Sequence, residues 1–152
     1  MRRRTLAASA LCLLLAACVH EQVVVLPPPG TAWIDPSSAV QLAAAAPRDG
    51  VTGVFAMTVR AVGRDERGVY LNSERDYRDQ RNLTVVLTPD AAAELEGRLG
   101  GPLEQRLRGH AIQVSGTARR TKIVFFADGQ ATDKYYYQTH VRVMKAGQIR
   151  PV

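Results

Sequence analysis

The chain is poor in cysteine, in aromatic residues and in long apolar runs. Two cysteines in 152 residues exclude a disulfide-dense scaffold. Aromatics make up 6% of the chain, and twelve glycines and eight prolines are too few for a low-complexity polymer. The one long apolar stretch lies at the extreme N-terminus, which excludes a multi-span membrane protein. His20, His110 and His140 share no i, i+2 or i, i+4 spacing, the spacing metal sites use, so neither a metal nor a cofactor is expected. No Walker loop, nucleophile elbow or dinucleotide fingerprint occurs. What is present, 46% hydrophobic and 22% charged residues with a formal net charge of +6, fits one globular domain with accessory segments.

The N-terminus carries an address. Arg2, Arg3 and Arg4 precede an apolar run from Leu6 to Ala17 and then Cys18, the order of a secretory signal. The run is too short to cross a bilayer as a helix. Leu15-Ala16-Ala17-Cys18 resembles the lipobox of bacterial lipoproteins. The resemblance implies that residues 1–17 are a removable signal peptide and that Cys18 is the lipidation site, with diacylglycerol and palmitate as the anchor. An ordinary signal peptide with an incidental Cys18 is the alternative. With Cys12 discarded and Cys18 lipidated, the mature chain keeps no thiol for a disulfide, a metal or nucleophilic catalysis. A triacylated cysteine tethers a protein without spanning the membrane. Val19 stands where aspartate would favour inner-membrane retention, which implies the outer membrane and a periplasm-facing domain. Without the three leading arginines the balance is 17 basic to 14 acidic side chains.

Residues 18–50 contain Pro27-Pro28-Pro29-Gly30, Asp35-Pro36-Ser37-Ser38, and Ala43 to Ala46 before Pro47, with no sustained alternation or helical stripe. They are expected to form a partly stiff tether, reaching at most on the order of 100 Å at about 3.3 Å per residue. Trp33 is expected to dock on the domain or at the membrane interface.

From residue 51 the period changes to two. Phe55, Met57, Val59 and Ala61 mark a first strand, Val69-Tyr70-Leu71 a second, and Leu83 to Leu87 a third. Thr88-Pro89-Asp90 starts a helix, with a hydroxyl cap and proline at the first helical position. Leu95, Leu99, Leu103 and Leu107 form one stripe, interrupted at Gly100-Gly101-Pro102. Strand period returns at Ile112 to Thr117, again at Ile123 to Phe126, and finally at Tyr135 to Val143, the last two joined through residues 127–133. Three strands, a helix and further strands is the element order of an OB-fold, a Greek-key barrel. The stretch from Gly68 to Val85, with Tyr70-Leu71-Asn72 and Asp76-Tyr77-Arg78-Asp79, resembles the second-to-third strand hairpin of small bacterial OB-fold proteins. Leu107 to Thr117, with Gly109 and Gly116, resembles their fourth strand, and Gln148-Ile149 the close of the last. The fold class expected for residues 51–152 is a mainly β, five- to six-stranded barrel with one helix between strands 3 and 4. A β-sandwich is the alternative.

Two groups of residues are candidates for function. With Val141 and Val143 inward, Tyr135, Tyr137 and Thr139 fall on the core side, and Tyr136, Gln138, His140 and Arg142 share the outer face. Arg60, Arg119 and Arg120 complete a candidate binding face, since OB-folds stack and bind oligomers on such surfaces. The second group is the loop Asp76, Tyr77, Arg78 and Asp79, flanked by Glu74, Arg75 and Arg81. Local ion pairing is its ordinary role, and metal-assisted hydrolysis, by comparison with OB-fold nucleases, is the other. Residues 50–152 carry 16 basic and 11 acidic side chains, weaker than the basic stripe of a committed nucleic-acid binder. The resulting expectation is a lipid-anchored, non-enzymatic binding or assembly module of the cell envelope with a protein or glycan partner. Single-stranded nucleic acid binding and metal-dependent hydrolysis are the alternatives.

Overall fold

The computed structural model describes residues 32–152; the expected signal peptide, Cys18 and the triple proline lie outside the described residues. Seven strands form one sheet: β1 (Val51–Thr58), β2 (Ala61–Asp65), β3 (Gly68–Asn72), β4 (Leu83–Leu87), β5 (Ala111–Ala127), β6 (Gln130–Val143) and β7 (Ile149–Pro151). Three α-helices accompany them, α1 (Pro36–Ala45), α2 (Pro89–Leu99) and α3 (Leu103–Leu107), with a 3-10 turn at Ala146–Gln148 ahead of β7. The six-strand path runs β1-β5-β6-β4-β3-β2, and its neighbours are antiparallel except β4 and β6, which run parallel. β6 pairs with β5 from Ala118 onward, and β7 fills the same edge opposite Ile112 to Val114.

The protein is mainly β, and its sheet curls into a half-barrel. The expected first strand is two strands because it changes partner. β1 pairs with β5 and β2 with β3, while between them the Val59 amide donates to the His110 carbonyl and the Arg60 amide to the Asn72 carbonyl. The two ends of the path are therefore joined by two residues. Inside the curl lie Phe55, Met57, Val69, Leu71, Val85, Leu87, Ile112, Val114, Val141 and Val143, all buried. The leucine stripe completes this core. Leu95, Leu103 and Leu107 are buried and Leu99 packs at the edge, although Gly100 ends α2 and α3 resumes the stripe as a separate helix.

Three expectations need correction. The packed unit does not begin at residue 51: α1 lies within the expected tether, with Ala39 and Ala43 fully buried against the sheet, and Ile34 forms a parallel bridge to Phe55. Trp33, expected to dock on the domain or at the membrane interface, is not docked on the domain: it is 58% exposed, and its neighbour Ile34 makes the packing contact. The two expected strands at 112–117 and 123–126 are one strand of 17 residues. The basic segment between them stays in register, Arg120 opposite Thr139 and Lys122 opposite Tyr137. The connection to β6 is correspondingly short. Asp128 (φ 52°) and Gly129 (φ 76°) form a two-residue turn, whose left-handed dihedrals match the twist of a hairpin.

Candidate functional site

The sheet face opposite the core is an open trough of about 2260 Å³. Strand alternation builds it, since burying one set of residues turns the next set outward. Tyr136, Gln138, His140 and Arg142 of β6 line it, with Tyr70 and Asn72 of β3, Thr84 of β4, and Ser115, Thr117 and Arg119 of β5. Of the seven residues expected on the binding face, Arg119, Tyr136, Gln138, His140 and Arg142 are brought together. Arg60 is not, because it occupies the crossover between β1 and β2 and borders a separate hollow with Arg75 and Arg108. Arg120 is not either. One residue out of phase with Arg119, its guanidinium lies 3.7 Å from the ring centroid of Tyr137 on the opposite face. Tyr135 and Tyr137 share the parity of the core residues, yet both are exposed because they lie beyond the core's edge.

Side-chain amides organise one end of the trough. Gln138 Nε2 donates to the Tyr136 hydroxyl at 2.8 Å and to the Tyr77 carbonyl at 3.2 Å. Its Oε1 is then the acceptor for His140 Nε2 at 2.7 Å, so the neutral ring carries its proton on Nε2. Burial pushes His140 down to about 4 from its ordinary 6.5, which keeps it neutral near pH 7. Burial also holds the Tyr136 phenol above its ordinary value, with Tyr77 adding to the effect. Beneath them a buried polar cluster anchors the 73–82 loop. Asn82 Nδ2 donates to Asn72 Oδ1 at 3.0 Å and to Thr84 Oγ1 at 2.9 Å, while Asn82 Oδ1 accepts from the Glu74 amide at 3.0 Å.

The candidate loop borders the trough through Tyr77. Its carboxylates turn back on the loop itself. Asp76 accepts from the Arg78 amide and sits 3.9 Å from that guanidinium, and Asp79 binds Arg81 through the amide and at 2.8 Å through the guanidinium. Arg81 accordingly lowers the Asp79 carboxyl to about 2. Among the described residues, no three His, Cys, Asp or Glu side chains gather as metal ligands do.

The trough is basic. Of the charged residues along it, Arg64 is ion-paired with Glu96 on α2, and the Lys122 ammonium lies over Tyr135 on the opposite face. That leaves Arg67, Arg119, Arg142 and Lys145, none of them in an ion pair among the described residues, against Asp65 alone. Asp65 is itself occupied by the Tyr70 hydroxyl at 3.1 Å and the Arg67 amide at 2.8 Å. Burial, and then this bond, raises the Tyr70 phenol. Sequence reasoning missed Arg67, Tyr70 and Lys145. Alternation with Val69 and Leu71 was a usable signal for Tyr70, whereas Arg67 and Lys145 sit outside the strands, where periodicity carries no information.

Fold and site together define a mainly β domain with a polar, basic outer face. No family model, curated protein or solved structure matches the chain.

Proposed function

We propose that this chain is a bacterial envelope lipoprotein, anchored through Cys18 at the outer membrane and facing the periplasm, whose OB-fold domain binds an acidic glycan without catalysing a reaction. The carrying observation is the charge of the trough, four unpaired cations to one engaged carboxylate. A cleft of one sign concentrates ligands of the other. Two features favour sugar over stacked bases. One face of the Tyr77 ring is covered by Arg78 at 4.3 Å, and Phe125 packs against Tyr136 at 5.4 Å. What the trough offers in their place is partly exposed hydroxyls and an amide, from Thr117, Thr121 and Gln138, suited to sugar hydroxyls. The strand order supports the OB-fold reading: with β1 and β2 counted as one interrupted strand, the path closes as 1-2-3-5-4-1, strands three and five parallel and the helices between three and four.

Single-stranded nucleic acid is the second reading, because Tyr136, Gln138, His140 and Arg142 do share the trough. Calorimetry of the purified chain against oligogalacturonate, a neutral cello-oligosaccharide and oligothymidylate separates the two. The acidic sugar is expected to bind, with affinity reduced by salt and by roughly tenfold or more in Arg119→Ala/Arg142→Ala. Tighter binding of oligothymidylate replaces this reading with the second, and equal binding of the neutral sugar removes the role of charge.

A further inference from the structure

Beyond Ala118 of β5 and Thr139 of β6 the sheet narrows to two strands. β1 begins at Val51, opposite Ala118, and β4 begins at Leu83, opposite Thr139. Arg119 and Arg120 still face His140 and Thr139, which pair with β4, and residues 121–127 and 130–138 pair only with each other. This ribbon holds five of the chain's nine aromatic residues. Four of them, Phe125, Phe126, Tyr135 and Tyr137, are between 40% and 68% exposed. A two-stranded ribbon has little stability of its own, and here side chains stiffen it. Tyr135 and Tyr137 meet edge to face at 5.7 Å, Arg120 stacks on Tyr137 and the Lys122 ammonium lies 4.1 Å over the Tyr135 ring. Its aromatics are held outward, away from the core.

We infer that this ribbon is a membrane-docking arm, which sets Phe125 and Phe126 at the acyl boundary of an anionic lipid surface and Tyr135, Tyr137, Arg120 and Lys122 among its headgroups. Three observations converge on that occupant. Tyrosine rings bracketed by cations, with phenylalanines further out, match the layering of a bilayer interface. The charge is complementary: Arg120, Lys122 and Lys134 outnumber Asp128 and Asp133, and anionic headgroups attract such clusters. The third is direction. Ile34 runs parallel to β1, its amide donating to the Val54 carbonyl and its carbonyl accepting from the Ala56 amide. A segment parallel to β1 arrives from the Val51 end, and the arm projects from that same end. Ala32, the first described residue, thus lies on the side of Ile34 that faces the arm. The availability of a nearby membrane rests on the lipid-anchor reading; the affinity of the arm does not.

The test uses the full chain carrying Cys18→Ala, which has no acceptor for the lipid, and vesicles of phosphatidylcholine alone or mixed equally with phosphatidylglycerol. Co-sedimentation with the anionic vesicles is expected, together with a blue shift of Trp33, the single tryptophan. Phe125→Ser/Phe126→Ser and Arg120→Glu/Lys122→Glu should each lower the bound fraction by about tenfold or more, with circular dichroism unchanged in the phenylalanine pair, whose side chains are exposed. Absence of binding to anionic vesicles overturns the inference, as does equal binding by both double variants. A dimer that the Phe125→Ser/Phe126→Ser change dissociates, without vesicle binding, reassigns the arm to pairing with a second copy. Mass measurement of the native chain reads lipidation separately, so loss of the anchor reading and loss of the arm are distinct outcomes.

Discussion

Asn82 uses both ends of its buried amide, toward Asn72 and Thr84 on one side and toward the Glu74 amide and Ser73 hydroxyl on the other. Removing a buried partner leaves the remaining groups unsatisfied at a cost of about 1–3 kcal/mol. Asn82→Ala is expected to destabilise the protein by that amount in urea unfolding and to speed hydrogen exchange at the Glu74 amide, while the surface pairs of Asp76 and Asp79 contribute far less. His140 has a different signature. Its folded value of about 4 lies below its ordinary 6.5, so between these limits the unfolded chain binds a proton that the folded chain refuses. Stability associated with the neutral ring is complete above about pH 6.5 and is lost as pH falls toward 4, by an amount on the order of 3 kcal/mol. Unfolding of the native chain and His140→Gln at about pH 7 and about pH 4.5 is the check, the variant being expected to lose less stability on acidification. Asp35 and Asp79 titrate in the same sense in both proteins and cancel in the difference.

At the scale of elements, Gly68 joins β2 to β3 under a close constraint. Its φ is 143°, and a Cβ there would stand 1.9 Å from the Leu87 carbonyl oxygen. Gly68→Ala is expected to cost roughly 2–4 kcal/mol in chemical denaturation, and recovery of full stability would show that β4 can move aside. Legibility in the sequence followed the contrast between the two sides of each element. β4 was read with its bounds intact because its apolar run is flanked by polar residues, and α2 because Thr88 caps the Ala91 amide ahead of Pro89. α1 was not read. Its buried face is two alanines, whose short side chains give little contrast with the exposed face, and its start, Asp35-Pro36-Ser37-Ser38, has turn composition, although Asp35 accepts from the Ser38 amide at 3.1 Å as a helix cap. On the candidate face, β6 parity and the structure agree in setting Tyr136, Gln138, His140 and Arg142 on the outer side. Arg120 was misplaced because β5 was read in two pieces, so its phase across Arg119-Arg120 was undefined, and Arg60 because nothing local to it announces the change of partner.

For the whole molecule, β5 is the element on which the others depend. It pairs with β1, β6 and β7, and among the described residues β1 has only the Ile34 bridge as a partner before Ala111. β4 and β6 join residues more than fifty positions apart. Pairings this distant in sequence make folding slow, in the millisecond-to-second range for mainly β domains. Stopped-flow refolding is expected in that range, and removal of residues 139–152 is expected to leave a chain without cooperative unfolding, because β4 then loses its pairing with β6 and β5 its pairing with Ile149. A microsecond phase carrying the full amplitude would contradict the dependence on β5.

The two-residue stitch at Val59-Arg60 also has a consequence in time. Because it commits β1 and β2 to partners on opposite sides of the curl, neither half of the sheet is a finished unit. A chain emerging N-terminus first has no complete hydrophobic core to close until β6 and β7 have followed. Folding is thereby postponed to the end of emergence, and under the proposed lipoprotein reading that delay is compatible with passage through a channel as an extended polymer.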